Sequence, residues 1–536
     1  MPYLCHCNET IELMKGRKYP LGIQTFERIA KENYVYIDKT ELLYNLTHES
    51  TCCFLTRPRR FGKSLLITTL KAYFEGKKDL FKGLAIDALE TEWTSYPVLH
   101  FDLSCNKYYC IENIHSTLNM LISDYEKAYH IESTPNVSYS DRLNKVIEAA
   151  VEQTGHKAVI LIDEYDAPMH DSIKNERLQD EIRDIMRGFF SPLKAEENNL
   201  QFVFMTGISK FSQLSIFSEL NNITNISMED EYSSICGISK EELLDYFHDD
   251  IEDLAKARKM TFAEAVAQLK FHYDGYHFSG NGADIFNPYS LLNTFRVNKF
   301  NSYWFSTGTP TFLIELLKEK NLDMLQMEDI WTNSDRFDTP TKKITDPIPV
   351  LYQSGYLTIK DYIEMADTYK LAFPNEEVRK GFSNSLFRYY APDGMDDRDA
   401  IYMAWAKNFI LSDEDNMEAF LPHLQTFYKK FPYTLINNNE RHYQAVLYTI
   451  LLILGCDVTP EVPTSDGRID MVLKTKRSIY VLELKYKKDA EAAIEQIDCK
   501  DYLAAFADDS RKKYKVGINF SEDRKSIDDW KVEELV

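Results

Sequence analysis

At 536 residues, 44% hydrophobic and 27% charged, the chain is too long for one ordinary core and reads as about two to four globular domains. A net charge of −22 opposes nonspecific binding to DNA over the whole surface, but leaves room for a local groove carrying divalent metal. No run nears the ~20 apolar residues of a membrane span. Met1–Asn8 has no secretory pattern, and nine scattered cysteines without zinc spacing read as reduced thiols of a cytoplasmic protein.

In chain order, Tyr34-Val-Tyr-Ile alternates as a strand, and Thr40 is placed to cap a helix from Glu41. The segment is either a wall for an adenine ring or a plain core strand. Cys52–Leu70 then passes from apolar strand through a basic turn to an apolar-periodic helix. Strand, tight loop and Gly62-Lys63-Ser64 opening a helix is the layout of a phosphate-binding loop. Pro58, Arg59, Arg60, Phe61, Gly62, Lys63, Ser64 and Leu65 would cradle the phosphates of ATP. Lys63 would reach the β- and γ-phosphates, and the Ser64 hydroxyl would hold Mg²⁺. Arg57 stands where the standard pattern has glycine.

Val98–Ser104 reads as a buried strand, followed by helices to about Val151. Ala158–Asp166 is an apolar run ending in carboxylates, as a strand buried on both faces of a parallel sheet requires. Asp163 would hold Mg²⁺ through water, and Glu164 would polarise the attacking water. Leu200–Gly207 is a third strand, whose Thr206 either senses the γ-phosphate or simply ends the strand. The alternation of strands and helices indicates a three-layer α/β sheet.

With these stretches, Tyr-Val-Tyr-Ile-Asp-Lys-Thr (34–40), Arg-Pro-Arg-Arg-Phe-Gly-Lys-Ser (57–64), Leu-Ile-Asp-Glu-Tyr-Asp (161–166), Tyr-Asp-Gly-Tyr-His-Phe (273–278) and Thr-Gly-Thr-Pro-Thr-Phe (307–312), the chain resembles bacterial AAA-ATPase-like proteins with a C-terminal PD-(D/E)XK nuclease-like domain. The resemblance implies ATP binding and, beyond it, ATPase activity. Arg57 looks like that family's own variant of the loop.

Residues 230–335 are rich in amphipathic helices and read as a helical lid, with Ser239 and Asn287 opening two of them. The aromatic clusters at 273–278 and 303–305 read as core packing, because basic residues are sparse among them. Residues 336–390 run helix, strand, strand, helix, an order that suits a winged-helix-like unit; DNA contact and domain packing are both open. A turn-rich stretch from Ala391 opens a helical connector over 391–436.

From Glu440 the character changes. A helix runs to Leu454, a strand lies near Val458–Val462, and Ile469–Leu473 and Ile479–Tyr486 read as paired strands before a helix over Ala490–Cys499. Alternation puts Glu483 and Lys485 on one strand face, where Asp470 can meet Glu483 across the sheet. Two carboxylates beside a lysine make a site for a hard cation, Mg²⁺ or Mn²⁺. The order resembles the PD-(D/E)XK core across residues 437–536. That resemblance carries over Asp470, Glu483 and Lys485 as catalytic residues, with Glu440 and Gln496 beside them; Ile469 replaces the proline of the name.

The expectation is therefore a P-loop AAA-like ATPase core at 1–229, the lid, the winged-helix-like unit and the connector, fused to a metal-dependent nuclease-like domain acting on DNA. A homo-oligomer is compatible with it, and a membrane partner is not expected. The alternative is a nucleotide-dependent regulatory protein whose nuclease-like domain only binds a partner.

Overall fold

The computed structural model describes residues 18–132, 137–173, 175–209, 223–305, 324–337, 346–390, 395–429, 439–522 and 526–535, without the side chains of 387–390 and 395–399. The motif at 307–312, Met1–Asn8 and the turn at 391–394 lie outside the described residues. Two compact units divide the chain: residues 1–304 with 331–377, and residues 305–330 with 378–536. These cuts fall elsewhere than the five segments suggested by the sequence, one of them inside the helix Glu376–Tyr390.

The first unit is built on a five-stranded sheet. Its strands are β1 (Cys52–Thr56), β2 (Val98–Asp102), β3 (Ala158–Asp163), β4 (Leu200–Gly207) and β5 (Thr224–Asn225), in the order β2-β3-β4-β1-β5. Its pairings are parallel. β1 and β3 are buried along their whole length, which explains their unbroken apolar sequence. Helix α1 (Thr40–Glu49) leads into β1, and α2 (Lys63–Phe74), α3 (Ile111–Ala128), α4 (Tyr139–Thr154) and α5 (Glu176–Phe190) lie in the connections between the strands. A core of Phe101, Ile114, Val146, Ile160, Ile182 and their neighbours lies on one side of the sheet.

Parallel order sets the carboxyl ends of β1, β3 and β4 at one edge, so the loop after β1 meets the acids after β3. Four further helices, α6 (Lys240–Tyr246), α7 (His248–Arg258), α8 (Phe262–Tyr273) and α9 (Pro288–Val297), share a second core with the short pair β6 (Ile238–Ser239) and β7 (Ile285–Phe286). Ser239 caps α6 in a capping box with Glu242, and Asn287 caps α9. Tyr273, Tyr276 and Phe278 are buried, as core packing requires. Later in the chain, β8 (Ile330–Thr332), β9 (Thr358–Ile363) and β10 (Thr368–Ala372) form a sheet in the order β8-β10-β9, with the helix Pro347–Gln353 between β8 and β9.

Two local expectations are corrected. Residues 34–37 do not form a strand: apart from a single bridge between Lys18 and Tyr34, they have no ladder partner among the described residues. Thr40 does not cap α1 but opens it, because Asp38 accepts both the backbone N–H (2.8 Å) and the hydroxyl (2.6 Å) of Thr40. A carboxylate two residues upstream supplies the acceptor expected of the threonine.

The second unit carries a sheet of β11 (Asp457–Thr464), β12 (Gly467–Lys474), β13 (Ser478–Tyr486), β14 (Lys512–Ser521) and β15 (Ser526–Glu534), in that order. Only the β13–β14 pair is parallel. The helix α10 (Glu440–Ile453), capped by Asn439, precedes the sheet, and α11 (Ala490–Cys499), capped by Asp489, connects β13 to β14. Among the described residues no helix is long and apolar enough to cross a membrane.

Candidate functional site

At the head of β1 the loop turns twice through left-handed backbone, at Arg60 (φ +68°) and Gly62 (φ +99°). Gly62 takes this conformation without a side-chain clash and forms the N-cap of α2, so the free N–H groups of the first turn open onto the loop. Lys63 is buried and donates to the carbonyls of Arg57 (3.1 Å) and Pro58 (3.3 Å), with Glu164 at 3.4 Å. The ammonium is thus held inside the loop it would serve.

Arg57 shows why the glycine of the standard pattern is dispensable. Its side chain leaves the loop, lies over the Phe278 ring (4.2 Å to the centroid) and donates to the carbonyls of Thr56, Ser227 and Tyr232. Burial pulls its pKa down to about 10, which still leaves it charged at neutral pH. Phe61 is buried edge-on against Tyr276 (4.8 Å) and Phe278 (5.4 Å), so only its backbone is available to a phosphate. Arg59 and Arg60 are exposed, and Arg60 lies over Tyr289.

A cavity of about 460 Å³ opens beside this loop. It is lined by Arg59 through Leu65 and by Glu164, and also by Val35, Tyr36 and Ile37. The segment without a ladder is therefore a cavity wall. Pro58, Asp163 and Thr206 are not among the lining residues; Asp163 Oδ1 accepts from the Thr206 hydroxyl (2.6 Å) and from the Glu164 N–H (3.1 Å). Glu164 itself has φ +49°. Its pKa is raised, first by burial and then by Asp166 and Asp163, against the pull of Lys63. A carboxyl poised this way suits a general base better than a solvated one. Sequence reasoning missed its neighbour Asp166, which is buried and accepts from His170 (2.9 Å) and from the N–H and hydroxyl of Ser209. It thereby fastens the end of β3 to the end of β4.

In the second unit, Met471 pairs with Leu482, which sets Asp470 and Glu483 next in register on adjoining strands. Asp470 Oδ2 accepts from the Leu484 N–H at 2.7 Å. Glu483 Oε1 accepts from Lys485 Nζ (2.9 Å) and from the Gln496 amide of α11. Burial, with Asp470 opposite, pushes Glu483 up to about 7 against the opposing charge of Lys485. Burial likewise pushes Asp470 up to about 6, with Glu440 and Glu461 adding to it. Asp470, Glu483, Lys485 and Gln496 are brought together, and Glu440, in the first turn of α10, is near enough for its charge to bear on Asp470. Gln444 and Glu461 were missed. The two-residue turn Ser465-Asp466 fixes the β11–β12 register and would have disclosed Glu461 by counting.

Glu483 Oε2 is buried and makes no hydrogen bond within the protein, which leaves it free for a cation, a water or a proton. Among the described residues no group of three or more His, Cys, Asp or Glu is gathered closely enough to hold a metal. The donor set present is therefore the carboxylate pair, whose hard oxygens fit Mg²⁺ or Mn²⁺.

The family model described as "Predicted AAA-ATPase" matches residues 20–217, and that of the PD-(D/E)XK nuclease superfamily matches residues 438–530. An uncharacterized protein from the vnfD 5′ region of Azotobacter chroococcum mcd 1 is 31% identical over 540 residues, covering 97% of this chain and all of its own. The chain belongs to this AAA-ATPase-like family. The AAA-ATPase-like match takes in residues 58–65 and most of the cavity's lining, which continues at Ile235–Ile238 and at Pro288, Tyr289 and Leu292, and the PD-(D/E)XK match takes in Asp470 and Glu483. Among solved structures, the Aeropyrum pernix ORC2 protein (ADPNP-ADP complexes) aligns at 11% identity and TM-score 0.26, over 67% of this chain and 98% of its own. The Aeropyrum pernix ORC1 protein in complex with DNA aligns at 11% and 0.24, over 67% and 96%. Likenesses of that size carry no weight for function.

Proposed function

We propose that the chain binds and hydrolyses ATP in its AAA-ATPase-like domain and cleaves DNA phosphodiesters at a metal-dependent site in its PD-(D/E)XK domain, in the cytoplasm. In the first site the backbone of residues 58–65 would hold the phosphates, with Lys63 turning from the Arg57 and Pro58 carbonyls to the β- and γ-oxygens. Ser64 and Asp163 would hold Mg²⁺, Glu164 would take the proton of the attacking water, and Thr206 would report the γ-phosphate. Val35–Ile37 would face the base.

In the second site Asp470 and Glu483 would hold Mg²⁺ or Mn²⁺, which when bound supplies an acidified water at neutral pH. Lys485 would orient that water or offset charge on the phosphate, and Gln496 would fix Glu483. Glu440 would adjust the field at Asp470. The observation that carries the nuclease reading is the buried, unpartnered Glu483 Oε2 beside Asp470 and Lys485.

A second reading is favoured by the two-carboxylate donor set, small for a catalytic metal centre, and by the net charge of −22. In it ATP switches the conformation and the C-terminal domain only binds a partner. Incubating the wild-type protein with single- and double-stranded DNA and Mn²⁺, with and without ATP, separates the two. Cleavage is expected; intact DNA under every condition would leave the second reading.

A further inference from the structure

Glu461 lies on the edge strand β11. Pro460 pairs with Met471 and Val462 with Ile469, so Glu461 faces Asp470 across the ladder, on the same face of the sheet. Its φ of +54° is the left-handed region, which a residue with a side chain enters only at a cost. Gln444, one turn after Glu440 on α10, joins the two strands: its Nε2 donates to Glu461 Oε1 at 2.7 Å and to the Asp470 carbonyl at 2.9 Å. Arg468 pairs with the other Glu461 oxygen.

An acidic cluster alone says nothing about a ligand. Here a separate observation does, since Glu483 is 1% exposed and its Oε2 makes no hydrogen bond. A buried carboxylate oxygen without a partner is costly, and a bound cation removes that cost. Glu461 extends the same face by one strand, so Glu461, Asp470 and Glu483 lie side by side on β11, β12 and β13.

We propose that Glu461 is a positioning residue beside the divalent-cation site of Asp470 and Glu483, outside the pair that would hold the cation, whose negative charge helps retain it. The inference rests on the metal-site reading of the PD-(D/E)XK domain. Against it stands a plain structural role, in which Glu461 is only the acceptor that anchors Gln444.

Glu461→Gln tells these apart, because it keeps an acceptor oxygen for Gln444 and removes the charge. The measurement is Mn²⁺ binding to the nucleotide-free, full-length protein, followed by the electron paramagnetic resonance of free Mn²⁺. The component lost in Asp470→Ala defines the site. Glu461→Gln should weaken that component about 10-fold, the range of second-layer effects at metal sites, with no change in metal-free melting temperature. Unchanged affinity would overturn the inference.

Glu461→Gly supplies the second arm, since glycine accepts the left-handed backbone freely. It loses the acceptor of Gln444 but also the backbone strain, and whatever its metal-free melting temperature it should show the same loss of Mn²⁺ affinity. A lowered melting temperature with unchanged affinity would assign Glu461 to structure and overturn the proposal. If the wild type shows no Asp470-dependent Mn²⁺ component, the metal-site reading itself fails, and this inference with it.

Discussion

Arg57 occupies the position where the usual phosphate loop has glycine, and the residue is 1% exposed. Restoring glycine there would leave the carbonyls of Ser227 and Tyr232 without their charged donor. Arg57→Gly should therefore lower stability by about 2 kcal/mol or more, read as a fall in melting temperature, rather than improve ATP binding. Lys63→Ala removes the buried ammonium of the loop and should abolish the thermal stabilisation by ATP; persistence of that shift would refute the loop assignment. Glu164→Gln keeps the shape and loses the base, so ATP should still bind while turnover falls about 100-fold or more. In the second unit, Glu483 and Asp470 titrate above their ordinary values, about 7 and about 6. Without metal, the folded state then holds more protons than the unfolded state between the ordinary and the raised values. Their contribution to stability is full at low pH and is lost as the pH rises through about 6 to 7. The parent should lose more melting temperature than Glu483→Gln on going from pH 5 to pH 8 in chelator, and equal losses would contradict the burial of this pair.

Elements buried on both faces were legible because composition alone demands them. β3 is the unbroken run Ala158–Ile162 closed by Asp163, and β4 occupies Leu200–Gly207 as its sequence suggests. The order from α10 through α11 was legible from the apolar run of α10, the buried run of β13 and the spacing that places Glu483 and Lys485 on one face of β13. Residues 34–37 misled because Val35 and Ile37 pack against the second core while the stretch also lines the cavity, so their apolar spacing answers to packing rather than to a ladder among the described residues. Glu461 escaped notice because a charged residue on an edge strand is ordinary, and only the register gives it a partner. The phosphate loop adds a geometric constraint that Gly62 meets at φ +99°. Gly62→Val would force a branched side chain into that conformation, costing about 1–3 kcal/mol and moving the N-terminus of α2. ATP affinity should fall with it, measured by the same thermal shift; full retention would show that the loop tolerates other backbones.

Across the whole molecule, the loop of Lys63 and the carboxylates of Asp470 and Glu483 belong to different compact units. Changes in one should leave ligand binding in the other intact. A net charge of −22 makes a cation the natural intermediary between this surface and a phosphodiester, so activity on DNA should depend on divalent metal throughout. The most direct measurement is Mn²⁺-dependent cleavage of DNA by wild type and Glu483→Ala in parallel, with ATP-induced thermal stabilisation recorded on the same preparations. Cleavage by the wild type, its loss in Glu483→Ala, and an identical ATP shift in both is the predicted result. Equal cleavage by the two proteins would contradict it.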